Sequence, residues 1–269
     1  MDRYLITPKL RNKIKNSKYS VRQLNKILGF EIRNILNKNI SIRGDHLQKI
    51  SSLLNIHIKL KKIYLDYGKN LGKNAFTQPI KKVKYSKHLA EFIGIMLGDG
   101  NIWKNRVKIA FDKRNTPYII YVRELFEKIF GIKLKREFVE ETNNAYLYVS
   151  NRLIIEELFK DGLQRGDKIK NRLGIPVWIK QNKDYLKSCI KGLIDTDGCI
   201  YVCKREKQTY VKFTNFNERL LKDFKEATNA LGYSFAKANK NNFCLYRKNE
   251  VANFIKDIKP LKSINGAIG

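Results

Sequence analysis

Asp184-Tyr-Leu-Lys-Ser-Cys-Ile-Lys-Gly-Leu-Ile-Asp-Thr-Asp-Gly198 is the stretch on which the reading of this chain turns. Leu186, Ile190, Leu193 and Ile194 recur at helical spacing and Gly198 supplies a C-terminal stop, so the stretch predicts a helix. Gly192 and Thr196 stand four apart, which lines one helix face with small side chains. Asp195 and Asp197 fall in the last turn, where the helix dipole is negative and a carboxylate is disfavoured. Acid placed there calls for a cation to meet it.

The same device occurs earlier, in His88-Leu-Ala-Glu-Phe-Ile-Gly-Ile-Met-Leu-Gly-Asp-Gly100. Leu89, Phe92, Ile93 and Met96 form the apolar side, Gly94 and Gly98 the small strip, and Asp99 closes the stretch before a glycine. Asp99 and Asp197 are 98 residues apart, and two copies of one unusual device imply two related halves. Helices packed through Gly94, Gly98, Gly192 and Thr196 bring Asp99 and Asp197 side by side. Adjacent carboxylates repel, so they share protons or bind a metal. The second arrangement is that of a divalent-metal hydrolase.

Phe92-Ile-Gly-Ile-Met-Leu-Gly-Asp-Gly100 and Ile190-Lys-Gly-Leu-Ile-Asp-Thr-Asp-Gly198 resemble the nine-residue signature of the LAGLIDADG homing endonucleases. The second copy matches more closely, since Leu97 stands where the family often has an acid. The resemblance covers roughly residues 86–265 and implies an α+β fold. Two pseudo-symmetric αββαββα halves would form a DNA-binding antiparallel-sheet saddle, with the motif helices as its seam. It also implies a monomeric, site-specific double-strand endonuclease that uses Mg²⁺, with Mn²⁺ as a substitute. Asp99 and Asp197 are then the metal ligands, with the carbonyls of Gly98 and Thr196 beside them. Asp195 lies two residues earlier, points elsewhere on the helix, and is read as a packing or capping residue. The family places a lysine near each scissile phosphate; Lys168 is the best match in the first half, and Lys262, with Lys259 close behind, is the candidate in the second. Asn115 and Asn217, each four residues after a phenylalanine, match its water-organising polar residue. Gly162 to Lys170 and Ile175-Pro-Val-Trp-Ile179 resemble the turn and linker that join the family's halves.

Around these motifs the pattern reads α, β, β, α, β, β, α twice. The halves are expected at 86–172 and 184–265, joined by a linker at 173–183. Residues 1–58 read as a small all-α module. Ser20 caps Val21–Leu28, Gly29 turns the chain, and a second short helix follows, which resembles the repressor-type helix-turn-helix. Arg33 and Asn34 would then face the major groove. Residues 59–85 are lysine-rich and read as a basic linker.

The 269 residues carry a formal charge of +30. Residues 1–85 hold 20 Lys and Arg against 4 Asp and Glu, so the excess is densest at the N-terminus. Such a field favours polyanions, nucleic acid above all. With 43% hydrophobic residues the chain can bury a core. Its four cysteines show no CxxC pair and no apolar signal core precedes them, so buried thiols in an intracellular protein are expected, without membrane association. The termini lack the Cys or Ser start and the His-Asn end of an intein.

Base reading would fall to the strand faces. Lys104, Arg106, Lys108, Asp112, Arg114, Lys133, Lys135 and Tyr146 are the candidates in the first half. Arg205, Gln208, Tyr210, Lys212, Asn215, Lys237, Asn239 and Asn241 are those in the second. The expected partner is a long, asymmetric double-stranded DNA site. The alternatives are a non-catalytic DNA-binding regulator and an intron RNA maturase, whose partner would be intron RNA.

Overall fold

The computed structural model describes residues 3–5, 8–37, 41–56, 62–63, 80–139, 142–203, 206–262 and 265–268. The chain divides into two units, residues 1–80 with 151–153, and residues 81–150 with 154–269.

The first unit runs β1 (Arg3–Leu5), α1 (Pro8–Lys15), α2 (Val21–Leu28), α3 (Arg33–Asn37), β2 (Ser41–Arg43), α4 (Gly44–Leu54) and β3 (Lys62–Ile63). Ser20 and Gln23 form a reciprocal capping box at the start of α2, which satisfies two backbone donors at once. Gly29 closes that helix at φ 73°, a conformation that disfavours any side chain. Across the turn, the Asn25 carboxamide oxygen accepts from the Ile32 N–H at 2.8 Å. That bond gives a polar residue a purpose where a helix-turn-helix usually has a small one. Leu10, Ile14, Leu24, Leu28, Ile32, Ile35 and Leu36 pack with Ile42, Leu47 and Ile50 into one core. The expected helices are present, but the module is not all-α. Strand β1 pairs antiparallel with β2 on one side and β3 on the other. Strands of two or three residues are too short to show alternation in a sequence.

The second unit begins with α5 (Lys87–Gly98), β4 (Gly100–Trp103), β5 (Arg106–Asp112), α6 (Thr116–Phe130), β6 (Lys135–Phe138), β7 (Asn144–Val149) and α7 (Arg152–Lys160), the last from Ile154 onward. A short α8 (Val177–Lys180) leads into the repeat. That repeat is α9 (Lys183–Asp197), β8 (Gly198–Cys203), β9 (Gln208–Thr214), α10 (Glu218–Ala230), β10 (Ala236–Asn239), β11 (Asn242–Leu245) and α11 (Lys248–Ile258), and β12 (Asn265–Ile268) follows. The first sheet has the order β4-β5-β7-β6 and the second β8-β9-β11-β10, all antiparallel. This is the αββαββα repeat read from the sequence. One addition is β12, which pairs parallel with β8 at the edge of the second sheet.

Helices α5 and α9 meet backbone to backbone. A Cβ on Gly94 would strike the Cys189 carbonyl, and one on Gly192 would strike the Glu91 carbonyl and lie 2.8 Å from the Ile95 nitrogen. Gly98 faces the Thr196 side chain in the same way. Below this seam each sheet buries alternate residues, Val107, Ile109 and Phe111 in the first and Ile200, Val211 and Phe213 in the second. The linker before α9 is fixed by Trp178. Its indole stacks on Tyr85 at 4.3 Å, and its N–H donates to the Asp161 carbonyl at 3.1 Å.

Gly192→Val places a Cβ where a backbone already lies and adds two methyl groups beyond it, and overpacking of this kind costs about 1–3 kcal/mol. Urea denaturation of the variant should show a loss of that order. A midpoint equal to the parent's would refute the close approach of α5 and α9.

Candidate active site

The seam ends in two carboxylates because both helices stop there. Asp99 is the C-terminal cap of α5, and Asp197 is the last residue of α9, just before Gly198. Burial, then repulsion from Asp197, pushes the Asp99 carboxyl up to about 6. Burial raises Asp197 as well, against a hydrogen bond from Asn215 and the pull of Lys168 and Lys262. The repulsion that Asp197 exerts on Asp99 marks the two motif aspartates as electrostatic neighbours.

Each helix end leaves carbonyls without an intrahelical partner, and at this seam lysines take them. The Lys168 ammonium donates to the Gly98 carbonyl and, at 3.5 Å, to that of Met96. The Lys262 ammonium donates to the Thr196 carbonyl at 2.7 Å. Gly98 and Thr196 immediately precede Asp99 and Asp197, so the two lysines occupy matching places in the two halves. Burial lowers the Lys168 pKa, opposed by the charges of Asp197 and Asp99. A cavity of about 430 Å³ opens here, lined by Gly98, Lys168, Asp197, Asn215 and Phe216 among others.

The asparagines fall differently from the sequence expectation. Asn217 is buried and caps α10, accepting from the N–H groups of Arg219 and Leu220. Its amide donates to the Leu173 carbonyl at 2.6 Å and the Lys168 carbonyl at 3.2 Å. Asn115 caps α6 by accepting from Tyr118 N–H at 3.4 Å. The polar group that touches a motif carboxylate is Asn215, whose amide donates to Asp197 at 2.6 Å. The sequence assigns Asn215 to base reading, and only the fold, by setting it two residues before the cap, brings it to Asp197.

Asp195 is a packing residue, as expected, and a bound one. Its carboxylate accepts from the N–H groups of Leu261 and Lys262 at 2.6 and 3.2 Å, and from the Lys191 ammonium at 3.1 Å. Lys191 also meets Glu91 at 2.5 Å, and Glu91 accepts from the Tyr121 hydroxyl at 2.6 Å. Sequence reasoning missed this chain of buried charge. The signal available was a glutamate inside the apolar run of α5.

Comparison with known proteins bears on this geometry. Residues 184–242 match the model of the LAGLIDADG-like domain. This part of the second half is similar to a LAGLIDADG-like domain. Its span holds α9, whose fold and terminal aspartate α5 repeats. The chain is 30% identical over 165 residues to the replication factor C small subunit of Methanocaldococcus jannaschii, covering 60% of this chain and 8% of that protein. It is 32% identical over 130 residues to the tRNA-splicing ligase RtcB of Pyrococcus furiosus, covering 42% of this chain and 13% of that protein. The chain thus spans a small fraction of the curated relatives that it matches. Among solved structures, the homing endonuclease I-DmoI bound to nicked target DNA with Mn aligns at TM-score 0.44 and 17% identity, over 66% of this chain and 98% of that one. The LAGLIDADG domain of WhiA aligns at TM-score 0.46 and 8% identity, over 66% of this chain and 84% of that one.

Register decides which strand residues share a face in the two halves. In the first, Arg106, Lys108 and Lys135 share a face with Tyr146 and Tyr148. The Lys108 ammonium sits 3.3 Å from the Tyr146 ring centre, and the Arg106 guanidinium 4.6 Å from that of Tyr148. Trp103, 63% exposed, lies opposite Arg106. Lys104 stands exposed at φ 51° in the turn between β4 and β5. Arg114 is clamped onto Asp112, whose carboxyl that guanidinium lowers to about 2. Lys133 precedes β6 and lies 4.0 Å from Glu127 of α6, so it is not a strand residue.

In the second half Gln208, Tyr210 and Lys212 share one face with Cys199, Tyr201, Cys203 and Cys244. Those three cysteines are half-buried there, and only Cys189 is a fully buried thiol. Lys237 stands in the row of Phe243 and core-facing Phe213, just before a bulge, and so leaves the Lys212 face. In the first unit Arg33 is exposed at the start of α3. The Asn34 side chain, Arg205 and most of the basic linker lie outside the described residues.

The raised Asp99 pKa has a stability consequence without metal. The folded value of about 6 exceeds the ordinary 3.8, so folding favours the protonated carboxyl. Its contribution is fully present below pH ~4 and is lost as pH rises through about 6. In EDTA, Asp99→Asn should therefore denature at higher urea than the parent at pH 8, and the gap should narrow towards pH 4. A gap independent of pH would refute the raised pKa.

Proposed function

We propose that the chain is a site-specific double-stranded DNA endonuclease that hydrolyses one phosphodiester bond in each strand. The observation that carries this reading is the convergence of Asp99 and Asp197 from two helices, with Lys168 and Lys262 bonded beside them. Two repelling carboxylates with oxygen donors alone suit a hard divalent cation such as Mg²⁺, with Mn²⁺ as a substitute. Among the described residues no group of three or more His, Cys, Asp and Glu gathers. Two protein carboxylates fit an ion that keeps water and phosphate in its shell.

Bound there, the ion would polarise the phosphorus and supply an activated water. Asp99 and Asp197 would hold it, and Asn215 would fix the Asp197 carboxylate. Lys168 and Lys262 would turn their ammoniums from the helix carbonyls to the charge that develops on the phosphate oxygens. The open sheet faces would lie along the duplex, with Arg106, Lys108 and Lys135 on one side and Gln208, Tyr210 and Lys212 on the other. The helix-turn-helix of the first unit would extend the contact through Arg33. Both halves come from one chain, so a monomer suffices inside the cell. In this reading residues 1–58 form the accessory module, 59–85 the basic linker, 86–172 and 184–265 the two halves, and 173–183 the segment between them. Among the described residues no helix is long and apolar enough to cross a membrane.

Incubation of a randomised duplex library with the protein in Mg²⁺, followed by sequencing of cut ends, should enrich one long asymmetric site. Asp99→Asn and Asp197→Asn should each slow its cleavage at least ~100-fold. Enrichment by binding with no cut ends would identify a regulator instead, and cutting that survives both substitutions would refute the site.

Binding should weaken steeply with salt. Neutralising ~8 phosphates gives a log–log slope of roughly −7, and a flat titration by fluorescence anisotropy would exclude every nucleic-acid reading.

A further inference from the structure

We infer that Lys191 is a positioning residue for Lys262, so that cleavage of one strand depends on a buried chain of charge that the other strand's site lacks. This rests on the hydrolytic reading above. The segment that carries Lys262 has its backbone held by one side chain. The Asp195 carboxylate, 1% exposed, takes the N–H groups of Leu261 and Lys262 on one oxygen and the Lys191 ammonium on the other. An oxygen that deep needs a hydrogen-bond partner, and Lys191 supplies it to the second oxygen and so fixes how the first meets Leu261 and Lys262. Lys191 is fixed in turn by Glu91 of α5 and by Tyr121 of α6, over whose ring its ammonium sits at 4.5 Å. The chain of contacts therefore runs from the first half through α9 to Lys262, and Lys262 ends on the Thr196 carbonyl beside Asp197.

Among its described residues the first half has no such device. Aligning the two motifs puts Ile93 opposite Lys191 and Leu97 opposite Asp195, and both are buried apolar residues. An ion pair four residues apart on one helix is an apolar pair on the other. The Lys168 segment is held instead by the Asn217 amide on the Lys168 and Leu173 carbonyls. Asp167 adds to this by accepting from the N–H groups of Ile169 and Lys170. None of these bonds involves Lys191. Loss of Lys191 loosens the grip on Lys262 and leaves Lys168 in place.

The test uses the full chain, Mg²⁺ and a supercoiled plasmid carrying the site recovered from the library, with each strand end-labelled. Lys191→Met should slow one strand at least ~10-fold, a loss typical of a displaced catalytic group, with the other strand within about twofold. Nicked circles, all cut in the same strand, should accumulate. Lys191→Arg should restore most of the lost rate. Lys191→Met can misfold by stranding two carboxylates, so Glu91→Gln/Lys191→Ile/Asp195→Leu serves as the second variant. It gives α9 the apolar pair of α5, leaves no charge behind, and should nick the same strand. Equal slowing of both strands by Lys191→Met, or parental cutting of both by the triple variant, overturns the inference. A wild type that cuts neither strand overturns the hydrolytic reading, and the inference with it.

Discussion

Contact between two helix backbones is the constraint on which the rest of the structure depends. Helices packed through ordinary side chains keep their axes 8–10 Å apart. Gly94 and Gly192 remove the side chains at the crossing, and each lies against the other helix's backbone. Both helices then run to a common end, and whatever stands at their C-termini is forced together. Asp99 and Asp197 stand there, at the negative pole of two dipoles and next to each other. Such an arrangement costs free energy unless positive charge meets it, and Lys168 and Lys262 answer on the last free carbonyls. The glycines, the aspartates and the lysines are thus one device rather than three features.

Most of this was legible in the sequence, because each step has a local signature. Small residues four apart before a terminal acid mark the helices, and their recurrence marks the halves. Alternation gives the number and order of the strands in each half, but β6 and β10 start three residues later than it suggests, at Lys135 and Ala236. The unread remainder depends on contacts between distant segments. Asn115 and Asn217 share a spacing because both cap helices, so their coincidence carried no information about water. Lys237 was misplaced by a bulge that shifts register between it and Asn239. Tyr148, by contrast, lies two residues from Tyr146 and could have been found by alternation. Glu91 and Lys191 are a hundred residues apart, and nothing local says that one meets the other.

The two sheet faces differ as much as the two lysine supports. Arg106, Lys108 and Lys135 with two tyrosines make the first face basic and aromatic. Cys199, Tyr201, Cys203, Tyr210 and Cys244 leave Lys212 as the lone described cation among the paired residues of the second. On the hydrolytic reading the first half would supply more of the phosphate affinity, and the second would rely on uncharged contacts with base edges. Half-buried thiols fit that division, since a thiol packs against apolar groups and donates weakly.

A single chain permits this asymmetry. In a two-fold dimer every residue at the seam appears twice, so a lysine at position 191 would have a lysine in place of Ile93. The seam would then bury a second ammonium, which would need carboxylates of its own. Joining the halves lets α9 keep Lys191 and Asp195 while α5 keeps Ile93 and Leu97, and Glu91 is free to serve across the seam. The buried network is therefore a consequence of covalent linkage as much as of packing. It binds the two halves together at the point where their carboxylates repel.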